Sequence, residues 1–453
     1  MKFGGTSVES ASAIERVAGI VRARLAQKPV VVVSAMGKTT NKLLAMAGEA
    51  VAGRRDEAAR LHAELRAFHL EEAAKAINAE DRPKLEAIVA DHFHELAAFL
   101  DELADLREFP PQYVDLVSSY GERLSSAIVT LAFRHFSLDA VHVDSRTVII
   151  TDRRHTQAAP LYARTYAKLE SVVKPLAESQ VVVMGGFIAS TQDGFTTTLG
   201  RGGSDFSAAI VGAGIGASEI QIWTDVDGML TCDPRILPGG HRVRIISFGE
   251  AAELAYFGAK VLHPATVVPA VEKNIPVLIL NSRNPESEGT RIVGDRVETS
   301  NIVKSIACKK DITVVNIRSL RMLMAHGFLR RIFEIFDRYR TSVDMVSTSE
   351  VSVSLTIDDT ARLPEICDEL SQIAEVTVDR GQAAVCLVGD NITHTPGVSA
   401  RVFGALSKIN VRMISQGSSV LNMSMVVAGA DLRDAVEALH TEFFSTLDPE
   451  VFD

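Results

Sequence analysis

Val30–Val33 is an unbroken β-branched run, and it constrains the fold more than any other stretch of the chain. Successive strand side chains point to opposite faces, so a strand that is apolar throughout must be covered on both sides. Residues 180–184, Ile220–Thr224 and 277–280 are runs of the same kind, and Ala140–Val143 and 148–150 read as shorter strands. Between them apolar residues return at helical spacing, as Ile14, Val17, Ala18, Val21 and Leu25 do, with Ser12 and Glu15 at capping-box spacing. From residue 43 to residue 106 the pattern is almost wholly helical, and Pro110 and Pro111 end it. Strands alternating with helices predict an α/β domain over residues 1–300, a parallel or mixed sheet with helices on both faces.

After Asn301 the texture changes and the chain repeats itself. Gly327-Phe-Leu-Arg-Arg-Ile-Phe333 matches Gly397-Val-Ser-Ala-Arg-Val-Phe403, and Val343-Asp-Met-Val-Ser347 matches Val411-Arg-Met-Ile-Ser415. Each copy reads as strand, turn, helix, strand, strand, helix, an α+β (βαββαβ) module. The first copy, 311–380, closes with a strand at 375–378; the second lacks such a strand, and a spare one at 302–308 precedes the first. The first module is therefore expected to be inserted within the second, which takes 301–310 and 381–446. Four-stranded units with open edges tend to pair side by side, which predicts a homodimer through these modules, or a dimer of dimers.

Three stretches carry chemistry. Lys2-Phe-Gly-Gly-Thr-Ser7 sets a lysine before two glycines and a helix. Gly4 and Gly5 let backbone N–H groups approach an anion, the helix start adds positive potential, and Lys2 adds a full charge: a phosphate cradle, though not a P-loop. Thr196-Thr-Thr-Leu-Gly-Arg-Gly-Gly-Ser-Asp205 opens a second helix. There Arg201 can grip a carboxylate with two parallel hydrogen bonds, Ser204 adds donors, and Asp205 can fix Lys2. Thr224-Asp225 ends a strand, where ligands of open α/β sheets bind, and Arg235 and Lys260 are spare cations for phosphates. Glu122 follows Gly121 in a helical segment and supplies the carboxylate that a substrate ammonium needs.

Other patterns lead nowhere. Gly212-Ala-Gly-Ile-Gly-Ala217 fits a dinucleotide fingerprint but ends a helix instead of opening one. His92 and His94 sit two apart on a helix and cannot share a metal; Asp225 and Asp227 lack the further oxygen ligands of a calcium loop. The net charge of −10 argues against nucleic acid or an anionic membrane as partner, and the apolar run at 208–217 is too short to span a bilayer. Gly4 and Gly5 stand where a signal segment would need apolar residues, and Cys232, Cys308, Cys367 and Cys386 are scattered, as in a cytoplasmic protein.

Taken in order, Lys2-Phe-Gly-Gly-Thr-Ser7, Gly121-Glu122, 196–205, Thr224-Asp225, Asp233-Pro-Arg235 and Gly258-Ala-Lys260 resemble aspartokinase of the amino-acid kinase superfamily, and the repeats resemble its paired ACT modules. The lysine-sensitive, monofunctional type is the nearest in pattern. The resemblance implies a three-layer αβα kinase domain that uses ATP with Mg2+ to phosphorylate the β-carboxylate of L-aspartate. It implies that Lys2 stabilises the transferring phosphoryl group while Asp205 orients Lys2. Glu122, Arg201, Ser204 and Thr40 would bind aspartate; Gly4, Gly5, Thr224, Asp225, Arg235 and Lys260 would hold the nucleotide. L-lysine is the implied effector. Met322, Gly327, Phe328, Leu329, Ser342, Val343, Asp344, Ser349 and Glu350 of the first module are its expected site. The second module has Arg412 and Ser418 where the first has Asp344 and Glu350, and Arg412 would repel a bound lysine. Two departures stand out. Met1 alone precedes the lysine where the family has an apolar strand, so a few apolar residues are expected upstream in frame. Leu230 replaces a tyrosine usual near the adenine. Two rival readings are a kinase for another small acid or nucleotide, and a catalytically dead amino-acid sensor.

Overall fold

The computed structural model describes residues 1–258, 262, 264–319 and 326–453. The chain divides into two compact units, Met1–Gly228 with Leu262–Gly294, and Met229–Val261 with Asp295–Asp453. The segment after Gly228 thus packs with the C-terminal repeats, within the span expected to be one domain of 300 residues.

In the first unit the strands lie in the order Thr290–Val293, Val277–Asn281, Ile220–Thr224, Lys2–Phe3, Val30–Val33, Val181–Gly185, Ala140–Val143. All neighbours are parallel except Thr290–Val293, which runs antiparallel to Val277–Asn281. Val31 and Val33 join one core with residues of helices Ala11–Arg22, Thr39–Val51 and Pro111–His135. Val30 and Val32 point the other way and are also buried, on the side where helix Gly203–Ile215 packs. These are the three layers that the apolar runs demanded. The helical stretch forms Thr39–Val51, Arg55–Ala76 and Arg82–Leu106.

Two local readings change. Ser10, not Ser12, caps the first helix, its Oγ accepting from Ala13 N. Residues 148–150 give only the short strand Ile150–Thr151, which joins Ile188–Thr191 and Thr196–Thr198 in a separate small sheet. The glycine pattern at 212–217 is a helix end: Gly216 is left-handed and Ala217 N donates to Gly212 O.

The second unit is built on one antiparallel sheet, ordered Val346–Thr348, Ser352–Ile357, Ser305–Arg318, Glu375–Val388, Asn422–Ala428, Met413–Gln416. Its two long central strands serve both repeats. Ser305–Lys309 lies beside Ala384–Val388, and Val314–Arg318 lies beside Glu375–Asp379, with a register shift between the halves. Residues 305–308 of the spare strand therefore complete the second repeat's half of the sheet. The repeated glycines have one job in both copies: Gly327 and Gly397, at φ 79° and 87°, start helices Phe328–Arg338 and Val398–Ala405. Lys304 and Glu250 form a fully buried ion pair at 3.0 Å. Among the described residues no helix is long and apolar enough to cross a membrane.

Candidate active site

The site lies at the carboxyl ends of the parallel strands of the first unit, where open α/β sheets bind ligands. Lys2 opens the short strand held between Val32–Val33 and Ile222–Trp223, so its base is rigid. Phe3 stacks on Trp223 at 5.8 Å beneath it. The chain then turns through Gly4 and Gly5. A Cβ on Gly5 would stand 2.8 Å from both Ala35 O and Gly37 O, so only glycine allows that approach. Ser7 Oγ lies 2.9 Å from Ser282 Oγ, and Ser282 donates from its N and Oγ to Thr224 O at 2.8 and 3.1 Å. Ser282 thereby fastens the glycine turn to the end of the Thr224 strand; no motif pointed to it.

Lys2 Nζ lies 2.8 Å from Asp205 Oδ1, with both side chains mostly shielded. Asp205 sits in the first turn of helix Gly203–Ile215. The turn before it requires glycine, with Gly200 and Gly202 at φ 77° and 69°. Ser204 packs against Gly186, where a Cβ would come within 2.7 Å of its own. Arg201 is exposed and makes no ion pair among the described residues.

Glu122 is the site's most unusual group. It lies on helix Pro111–His135, is 4% exposed, and its Oε2 has no hydrogen-bond partner among the described residues. Burial pushes its pKa up to about 8, against the pull of the Ala35 backbone N–H. Thr40 lies beside the preceding residue: its Oγ1 is 3.6 Å from where a Gly121 Cβ would be. Thr224 Oγ1 is 3.2 Å from Asp225 Oδ1 at the strand end. Asp227 accepts from the Asn281 and Asn284 amides at 3.0 and 3.1 Å, a structural role. Arg235 belongs to the second unit, exposed and paired with Asp233 at 2.6 Å. Lys260 lies outside the described residues. No group of three or more His, Cys, Asp or Glu placed to hold a metal occurs among those described.

In the second unit the expected effector residues gather around the first repeat. Gly327 caps the helix that buries Phe328 and leaves Leu329 exposed. Ser342, Ser349 and Glu350 are exposed, and Val343 packs on the repeat's core. Asp344 is not an open acid: Lys309 Nζ lies 2.6 Å from its Oδ2 and 2.8 Å from Asp358, and Tyr256 OH lies 3.3 Å from its Oδ1. Arg412 of the second repeat lies 3.6 Å from Asp379. Met322 lies outside the described residues.

A buried carboxyl with one unpaired oxygen, a lysine held by an aspartate and a glycine turn are the chemistry-bearing features of the first unit. Residues 1–281 match the amino acid kinase family and residues 385–443 an ACT domain. The lysine-sensitive aspartokinase 3 of Escherichia coli (strain K12) is 36% identical, over 98% of this chain and 98% of that one. The solved structure of E. coli aspartokinase III with lysine and aspartate (T-state) superposes with a TM-score of 0.85, at 34% identity over 98% of both chains. The same enzyme with aspartate and ADP (R-state) gives 0.80, at 35% identity over 98% of this chain and 99% of that one. The chain belongs to the amino acid kinase family, and within it to the aspartokinases.

Proposed function

We propose that the chain transfers the γ-phosphoryl group of ATP to the β-carboxylate of L-aspartate, giving 4-phospho-L-aspartate, and that L-lysine inhibits it through the first repeat. The observation that carries the substrate assignment is Glu122, a buried carboxyl with no cation beside it among the described residues and with Oε2 left without a hydrogen bond. Such a group is costly unless a cation completes it, and the ammonium of an α-amino acid does so. Arg201 then takes the α-carboxylate, with Ser204 and Thr40 alongside, which leaves the side-chain carboxylate to react. That group is ionised at neutral pH and needs no general base. The task is to bring two anions together, so positioning and charge neutralisation supply most of the catalysis. Lys2, steadied by Asp205, meets charge on the phosphoryl group in flight. Gly4 and Gly5 offer backbone donors to the phosphates, with Thr224 and Asp225 at the neighbouring strand end; Arg235 and Lys260 rest on the resemblance alone. Magnesium enters bound to the nucleotide, as part of the substrate, and neutralises phosphate charge there.

Trapping the acyl phosphate with hydroxylamine tests the assignment. L-Aspartate should give hydroxamate, while glutamate and N-acetyl-L-aspartate should not, the latter because its blocked nitrogen brings no charge to Glu122. Turnover of N-acetyl-L-aspartate at the rate of aspartate would overturn the substrate placement.

For the effector, the Lys309–Asp344 pair gives a graded expectation. A bound lysine ammonium must share or displace Lys309 at Asp344. Lys309→Met should lower the lysine concentration for half-inhibition about tenfold, since a charged hydrogen bond is worth roughly 1.5 kcal/mol. Asp344→Ala should relieve inhibition with kcat unchanged in the absence of lysine. Inhibition curves that coincide for all three proteins would remove Asp344 from the effector site. The edge strand Val346–Thr348 is exposed along its length, which supports a homodimer through the repeats; sedimentation equilibrium reads its mass.

A further inference from the structure

Asp115 is fully buried, lies seven residues before Glu122 on the same helix, and takes no part in the chemistry above. A carboxylate only accepts, so every group around it donates. Thr156 N lies 2.9 and 3.0 Å from its two oxygens, Thr198 Oγ1 2.5 Å from Oδ1, and His155 Nδ1 2.7 Å from Oδ2. Thr198 ends the strand Thr196–Thr198 and stands three residues before Arg201. Its carbonyl is held too, by Ala158 N at 2.9 Å. Thr156 has φ 70°, a left-handed conformation unfavourable for a β-branched residue, and its N–H faces both Asp115 oxygens. Thr156 O and Gln157 Cγ in turn wall the Gly200 turn, each 3.3 Å from where a Cβ would sit.

We propose that Asp115 is a positioning residue for the amino-acid substrate: it fixes the Thr198–Arg201 segment relative to Glu122. The proposal rests on the reading of Glu122 and Arg201 as the two ends of the substrate clamp. Seven residues bring a helix back to the same face within about 20°, roughly 10 Å further along. One rigid rod therefore carries both the acid that receives the ammonium and the acid that anchors the arginine loop. The two charges of an α-amino acid are a fixed distance apart, and a misplacement on the order of 1 Å costs on the order of 10²-fold.

The test uses Thr198→Val, which removes one donor at constant shape, and Thr198→Ser, which keeps it, with Asp115→Asn as a third variant. Thr198→Val should raise the aspartate KM about tenfold, with kcat and the ATP KM within twofold, and Thr198→Ser should match the wild type. Asp115→Asn should raise the aspartate KM further. Should Asp115→Asn fail to fold, the two Thr198 variants decide alone. An unchanged aspartate KM in Thr198→Val, an equal loss in Thr198→Ser, or a parallel rise in the ATP KM overturns the proposal. Glu122→Gln and Arg201→Ala run beside them. If these raise the aspartate KM and Thr198→Val does not, only the positioning role falls; if neither raises it, the clamp itself is wrong.

Discussion

Lys2→Ala is expected to lower kcat by on the order of 10²–10³, the cost of removing one preorganised group that meets transition-state charge. The ammonium sits on a strand paired on both sides and is held by Asp205 at 2.8 Å, so it spends little reorganisation on reaching the reacting group. The alanine variant should fold, because the strand's backbone pairing does not use the side chain. Its ATP and aspartate KM values should move far less than kcat. Rapid-quench single-turnover measurements read the chemical step directly. A rate within threefold of the wild type would remove Lys2 from the reaction. Lys2→Arg should not restore the rate, because a planar fork does not replace a compact point charge on this base.

Glu122→Gln is the second large effect, and it has two faces. The aspartate KM should rise at least about 100-fold, since leaving a buried charge without its partner costs roughly 2–5 kcal/mol. Stability should move the other way. The carboxyl ionises near 8 in the folded, substrate-free enzyme, against an ordinary value of 4.5. Between those values the folded chain keeps a proton that the unfolded chain has lost, so the wild type loses stability as pH rises through the window. Glutamine has no such dependence. The melting temperature of the variant should therefore gain on that of the wild type from pH 5 to pH 8. A gap that stays constant with pH would show that Glu122 is already charged and solvated in the free enzyme.

Much of this was legible because it is local. Val30–Val33 could only be a strand covered on both faces, and the matching Gly327 and Gly397 mark equivalent helix starts in the two repeats. Lys2 and Asp205 could be chosen because glycine-rich turns stand next to them where helices begin, and Glu122 because a substrate ammonium needs a carboxylate and its segment carries little other charge. What stayed hidden depends on partners far away in the chain. Asp115 looks like any solvated helix acid until Thr156 and Thr198, 41 and 83 residues later, close over it. Asp344 reads as an open acid until Lys309, 35 residues earlier, is found against it. Ser282 meets Ser7 across 275 residues. Capping misled at Ser12 because Ser10 also fits, and the backbone entry angle that decides between them is not a property of either residue.

The most direct measurement is the proton balance of aspartate binding, by titration calorimetry at pH 7 in two buffers of different ionisation enthalpy. With its pKa near 8, Glu122 is mostly protonated in the free enzyme, and the substrate ammonium must drive that proton off. The expected result is the release of close to one proton per aspartate bound. Binding without proton release, or with uptake, would contradict a Glu122 that is protonated in the free enzyme and gives up its proton to pair with the substrate ammonium; an aspartate affinity unchanged in Glu122→Gln would contradict the pairing itself.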